Sequence, residues 1–318
     1  MKHSIRFLAA ALALLLCASP SATAVEIETP NVDASMHDKP KPRQIPLEGQ
    51  SSRVYMDIPY CGENSTETQK LHILLPDEGE GPYPVLISLH GGAFSRGNTT
   101  KEHEVSFTQE AAFAALDRGY AVVCVDYSVK NKNNPVAFPL QIQETRAAVR
   151  FIRSVASQYD LDPEHIALIG ESAGGTLVSM AGLTGGEEYY DNAELGNMEY
   201  SGEVQAVIAQ YPGVKMGMND MTARLYNVPI EELTQEMCDA VTALAHIDSN
   251  DPPFFIEHGT ADSTIPYTDS VEFYEALVAA GVPCEIRIYE GYEHAVALFQ
   301  SDYVNAQHLD WLDQVFDR

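Results

Sequence analysis

From about residue 53 onward, short unbroken apolar runs alternate with longer segments of helical period. RVYMDIPY, KLHILLP, YPVLISLHGG, AVVCVDYS, IALIG, VQAVIAQYPG, PFFIEHG and CEIRIYE read as strands. Between them VSFTQEAAFAALDRGY, FPLQIQETRAAVRFIRSVASQYD, AGGTLVSMAG, DSVEFYEALVAAG and NAQHLDWLDQVF read as helices. In the second of these, Ile142, Ala147, Val149, Ile152 and Val155 are spaced for one apolar face. Strands that are apolar without polar alternation are buried on both sides. The pattern therefore predicts an α/β fold, a mostly parallel central sheet with helices on both faces. In such a sheet the active site lies beyond the carboxyl ends of the strands.

The start of the chain departs from this rhythm. Lys2 and Arg6 precede an apolar run over residues 7–18, and SPSATA then supplies small residues for cleavage after Ala24. Residues 1–24 thus read as a signal peptide, and the expected location is secreted or periplasmic. The run is shorter than the roughly 20 residues a membrane span needs. Leu16 before Cys17 disfavours a lipid-anchored cysteine. Residues 25–50 carry Pro30, Pro40, Pro42 and Pro46 and read as an extended arm, leaving 51–318 as one domain. A net charge of −27 repels nucleic acid and anionic membrane surfaces, so neither is an expected partner. Cys61, Cys124, Cys238 and Cys284 lack metal-ligand spacing and read as buried thiols or at most one bridge. Oligomeric state is left open.

Chemistry enters at IALIGESAGG. A strand closing on Gly170 and a helix opening at Ala173 leave Ser172 on a corner tight enough to require glycine at Gly170 and Gly174. Serine needs a base with a pKa near 7. His294 follows the strand CEIRIYE in the last loop before the terminal helix, where such a base belongs. His90 and His258 also follow strands, but each directly precedes a glycine and suits a turn. A carboxylate must hold the imidazole, and Asp262 in HGTADSTIP follows a strand, whereas Asp251 precedes one. The order Ser, Asp, His is that of α/β-hydrolases. An oxyanion needs backbone donors. Gly91, Gly92 and Ala93 in LISLHGGAF, together with Ala173 at its helix start, are the candidates.

With HGGAF, VDYS, GESAGG, HGTAD…IP and GYEHA in place, the chain resembles the esterase/lipase family of α/β-hydrolases that includes hormone-sensitive-lipase-like enzymes, and within it the bacterial acetyl- and feruloyl-esterase branch. The resemblance runs from about Val54 to the last helix. It implies Ser172 as nucleophile, His294 as base, Asp262 as its orienting carboxylate, and no metal or cofactor. Relatives often carry a third glycine where this chain has Ala93, and an arginine where it has Ser128.

The expected reaction is two-step acyl transfer, with activity rising as pH passes through about 6–7. The segment GVKMGMNDMTARLYNVPIEELTQEMCDAVTALAHIDSNDPP is long for a crossover and reads as a small cap over the site. Met216, Met218 and Met221 either line an acyl pocket within it or pack it. Export and the resemblance imply a small-molecule or carbohydrate ester as substrate, acetyl ahead of feruloyl. A serine peptidase, an arylformamidase-type amidase and a non-catalytic binding protein are the alternatives.

Overall fold

A computed structural model describes residues 25–39, 49–62, 65–97, 107–130 and 136–318. The expected signal peptide lies outside them. The strands are β1 (Ile27–Glu28), β2 (Arg53–Pro59), β3 (Lys70–Leu75), β4 (Tyr83–Leu89), β5 (Ala121–Val125), β6 (Leu161–Glu171), β7 (Ala206–Gln210), β8 (Phe254–Gly259) and β9 (Cys284–Tyr289). They form one sheet in the order β1-β9-β8-β7-β6-β4-β5-β3-β2. Only β3 runs antiparallel to its neighbours, β2 and β5; every other pair is parallel.

Side chains alternate across this sheet with period two. Ile73, Val85, Ile87, Val123, Leu168, Val207 and Ile256 face one core, which α2 (Leu140–Ser154), α3 (Ala173–Leu183) and α6 (Tyr267–Ala280) cover. Leu74, Leu86, Val122, Ala167, Ile208 and Phe255 face the other, covered by α1 (Phe107–Asp117) and α7 (Asp302–Val315). Two-sided burial explains why the strands read as unbroken apolar runs. The fold is that of the α/β-hydrolases.

The structure extends or corrects the sequence pattern in four places. β6 begins five residues before IALIG, because an irregularity between Tyr83 and Val85 lets Leu161 pair early with Tyr83. Helix α2 buries its polar side as well as its apolar one. Asp191 takes both Arg146 (3.0 Å) and Arg150 (2.6 Å), and Glu144 accepts from Gln69 and Ser128. The arm is not merely extended: Ile27 and Glu28 pair with β9, and Ala34–His37 form a 3-10 turn. The segment between β7 and β8 contains α4 (Asp220–Tyr226) and α5 (Gln235–Ala240). There Met216 is buried in the core, Met221 packs against it, and Met218 is 53% exposed. Packing, rather than pocket lining, thus describes the first two. All four described cysteines are free thiols, and Cys284 is only half-buried.

Candidate active site

Strand β6 ends at Glu171 and α3 begins at Ala173, leaving Ser172 alone on the corner with φ 50° and ψ −116°. A non-glycine residue in that region is strained, and the surroundings over-determine it. The Ser172 N–H is held by the Gln210 carbonyl at 3.0 Å. A Cβ on Gly170 would fall on the Gly174 carbonyl, and one on Gly174 on the carbonyls of Leu89 and His90. The two glycines let the corner close against both itself and β4.

From that corner Ser172 Oγ–H donates to His294 Nε2 at 3.0 Å, and His294 Nδ1–H donates to Asp262 Oδ2 at 2.6 Å. Asp262 sits after β8 and His294 after β9, so the three expected residues converge from the ends of three strands. Asp262 is saturated. Its Oδ1 accepts the N–H groups of Thr264 and Ile265, both at 2.8 Å, and its Oδ2 accepts a second histidine, His258 Nε2–H, at 3.0 Å. Burial alone would raise the Asp262 carboxyl, but the bonds from His258 and His294 outweigh it and hold the group well below the usual carboxylate range. A depressed carboxyl stabilises the fold above its unfolded pKa, and that contribution fades as pH falls through the folded one. Asp262→Ala is therefore expected to melt below the parent at pH 7, with the gap in melting temperature narrowing below about pH 4.

His258, for which the sequence left a turn role and that of a base equally open, is fully buried and bonded at both nitrogens. Its Nε2–H is shared between Asp262 and the Ile265 carbonyl (3.0 Å), and its Nδ1 is hydrogen-bonded with the Ser270 hydroxyl at 2.8 Å. Asp251, the rejected carboxylate, precedes β8 and lines a cavity of about 800 Å³ with Glu203, Asp248 and Pro252, at the opposite ends of the strands.

The loop after β4 is the candidate oxyanion cradle. Gly92, Ala93 and Phe94 carry φ values of 114°, 53° and 58°, a left-handed run that turns the backbone sharply. His90 anchors it, stacked on Tyr127 at 4.2 Å and donating Nδ1–H to the Gly91 carbonyl at 2.7 Å. The candidates differ in availability. The Gly91 N–H is turned to Glu171 Oε1 at 3.4 Å, which leaves Gly92, Ala93 and Ala173 as the better placed donors.

Glu171 and Tyr211 were not singled out by the sequence. Glu171 is buried beside Ser172, and its Oε2 accepts the Tyr211 hydroxyl at 2.6 Å. Burial pushes its carboxyl up, against the Tyr211 bond that draws it down. The Tyr211 ring meets His294 edge-on at 4.7 Å. One carboxyl thus links the cradle loop to the base.

The chain is similar to proteins named as ester hydrolases and carbohydrate esterases. The chain is 28% identical over 207 residues to the "Probable carboxylic ester hydrolase LipM" of Mycobacterium tuberculosis, covering 62% of this chain and 45% of that protein. It spans about half the length of the curated relatives it matches. A "Truncated form of carbohydrate esterase from gut microbiota" superposes with a TM-score of 0.75 at 24% identity, covering 86% of this chain and 99% of that one. A "Bifunctional GH43-CE" of Bacteroides eggerthii gives 0.73 at 30% identity, over 83% of this chain and 35% of the other. Residues 71–277, which include Ser172 and Asp262, match the BD-FAE family, and the chain belongs to that family.

Proposed function

We propose that this protein is a serine carboxylesterase that removes short acyl groups, acetyl ahead of feruloyl, from poly- or oligosaccharides of plant origin. The observation that carries the reading is the unbroken path from Ser172 Oγ through His294 to Asp262, at 3.0 and 2.6 Å. In this mechanism Ser172 Oγ attacks the ester carbonyl while His294 Nε2 takes its proton. Negative charge on the carbonyl oxygen is met by the N–H groups of Gly92, Ala93 and Ala173, the last at the start of α3 where the helix dipole adds to it. Asp262 holds the protonated imidazole, which gives its proton to the leaving alcohol. Water then attacks the acyl-enzyme under the same base, restoring Ser172.

Export fits the carbohydrate reading, because such polymers lie outside the cell. Residues 1–24 would direct it, with cleavage after Ala24. Among the described residues no helix is long and apolar enough to cross a membrane. The carbohydrate esterase from gut microbiota and the GH43-CE protein that superpose on the chain favour a sugar alcohol on the leaving side.

The deciding experiment compares acetate release from acetylated xylan with turnover of methyl ferulate and of an N-formyl aryl amide. Preference for acetylated xylan supports the proposal in full. Faster cleavage of the amide would replace it with the amidase alternative, and inertness toward every ester would sink it.

A further inference from the structure

We propose that residues 25–38 are a positioning element of the active site and that His37 is the side chain through which they act, an inference that rests on the reading of His294 as the base. The segment grips the His294 loop on both sides. Before the histidine, Ile27 lies beside Ile288 and Glu28 beside Tyr289, and the Glu28 carbonyl accepts the Glu290 N–H at 2.8 Å. Thr29 Oγ1–H adds a bond to Glu290 Oε2 at 3.0 Å. After the histidine, the Asp38 carbonyl accepts the Ala297 N–H at 2.9 Å. Val32 and Met36 pack on the cluster of Tyr211, Tyr292, Val296 and Phe299 that lies under the loop.

The stack at the centre gives these contacts their relevance to chemistry. His37, itself exposed, lies flat on Tyr292 with ring centroids 4.0 Å apart and planes 8° from parallel. Tyr292 is 4% exposed, two residues before His294. Its carbonyl accepts the Ala261 N–H at 3.0 Å, next to Asp262, and Gly291 N–H bonds Thr260 Oγ1 at 2.8 Å. One ring therefore steadies the backbone that carries both His294 and Asp262. The turn presenting His37 is itself fixed, because Asp33 caps it through the Ser35 N–H at 2.9 Å.

A base displaced by about 1 Å loses on the order of 10²-fold in rate. His37→Ala is accordingly expected to lower kcat on p-nitrophenyl acetate by about 10- to 100-fold while KM stays within about two-fold. His37→Phe, which keeps a flat ring over Tyr292, should retain kcat within about three-fold of the parent. The assay uses the whole chain well below its melting temperature, beside the rate at which a fluorophosphonate labels Ser172. A kcat for His37→Ala within two-fold of the parent overturns the inference, as does a His37→Phe protein as slow as His37→Ala. A parent protein whose Ser172 is not labelled overturns the underlying reading of the base and nucleophile instead.

Discussion

Ser172→Ala is expected to lower kcat on p-nitrophenyl acetate by about 10⁶-fold, and His294→Ala by a similar factor, with the double variant no slower than either. The groups act as a unit: without the hydroxyl the base has no proton to accept, and without the base the hydroxyl is inert. Asp262→Asn should cost about 10⁴-fold. Asp262 accepts two donors on each oxygen, so an amide turned either way sets an NH₂ group against two N–H groups. Backbone N–H groups cannot shift their protons, so the amide keeps its oxygen toward Thr264 and Ile265 and its NH₂ toward the imidazoles, and His294 escapes the clash by moving its proton to Nε2, the atom that must be bare to receive the serine's. Burst and steady-state kinetics on the variants check this. Additive losses in the double variant, or an Asp262→Asn protein within ten-fold of the parent, would refute the shared mechanism.

The second large effect concerns the corner. Gly174→Ala is expected to destabilise the fold by about 3 kcal/mol or more, because the new methyl lands on two backbone carbonyls rather than on a side chain that could swing away. Those carbonyls belong to Leu89 and His90, the root of the cradle loop. Separation of β4 from α3 also carries Gly92 and Ala93 away from Ala173, so surviving protein should have lost most of its rate. Gly186→Ala is the control, since nothing lies within 4 Å of the Cβ it would add. Urea denaturation of both variants decides the matter. Equal midpoints would show that the corner tolerates a side chain.

Much of this site was legible from position alone. Ser172, Asp262 and His294 each follow an apolar strand, and a parallel sheet delivers the ends of its strands to one place. The strands themselves announced two-sided burial through unbroken runs such as VLISL and IALIG. What escaped was whatever depends on partners that only the folded chain brings together. His258 looks like a turn residue until Ser270 of α6 and the Ile265 carbonyl close around it. Glu171 occupies a free position of the serine motif, and only its partners Tyr211, just after β7, and Gly91, just after β4, give it work. Arg146 and Arg150 are charged residues of α2, and their burial is intelligible only once Asp191 arrives to pair with both and the Thr184 and Gly185 carbonyls take further donors of Arg146. The arm shows the same limit. Its prolines signalled extended backbone, but no local pattern says that His37 will find Tyr292.

The two residues of β1 have a consequence for solubility. Strand β9 is the last full-length strand on its side of the sheet, and β1 covers only the stretch at Ile288 and Tyr289. An open edge is a template for another chain to pair with, and this one carries Ile286 and Ile288. The remainder of the edge is guarded by charge: Arg287 binds Glu285 at 2.7 Å and reaches Glu28 of the arm at 3.2 Å. Detachment of the arm would therefore do more than loosen a loop. It would remove both the covering strand and the acid that holds Arg287 in place, and turn a guarded edge into a sticky one that self-associates as concentration rises.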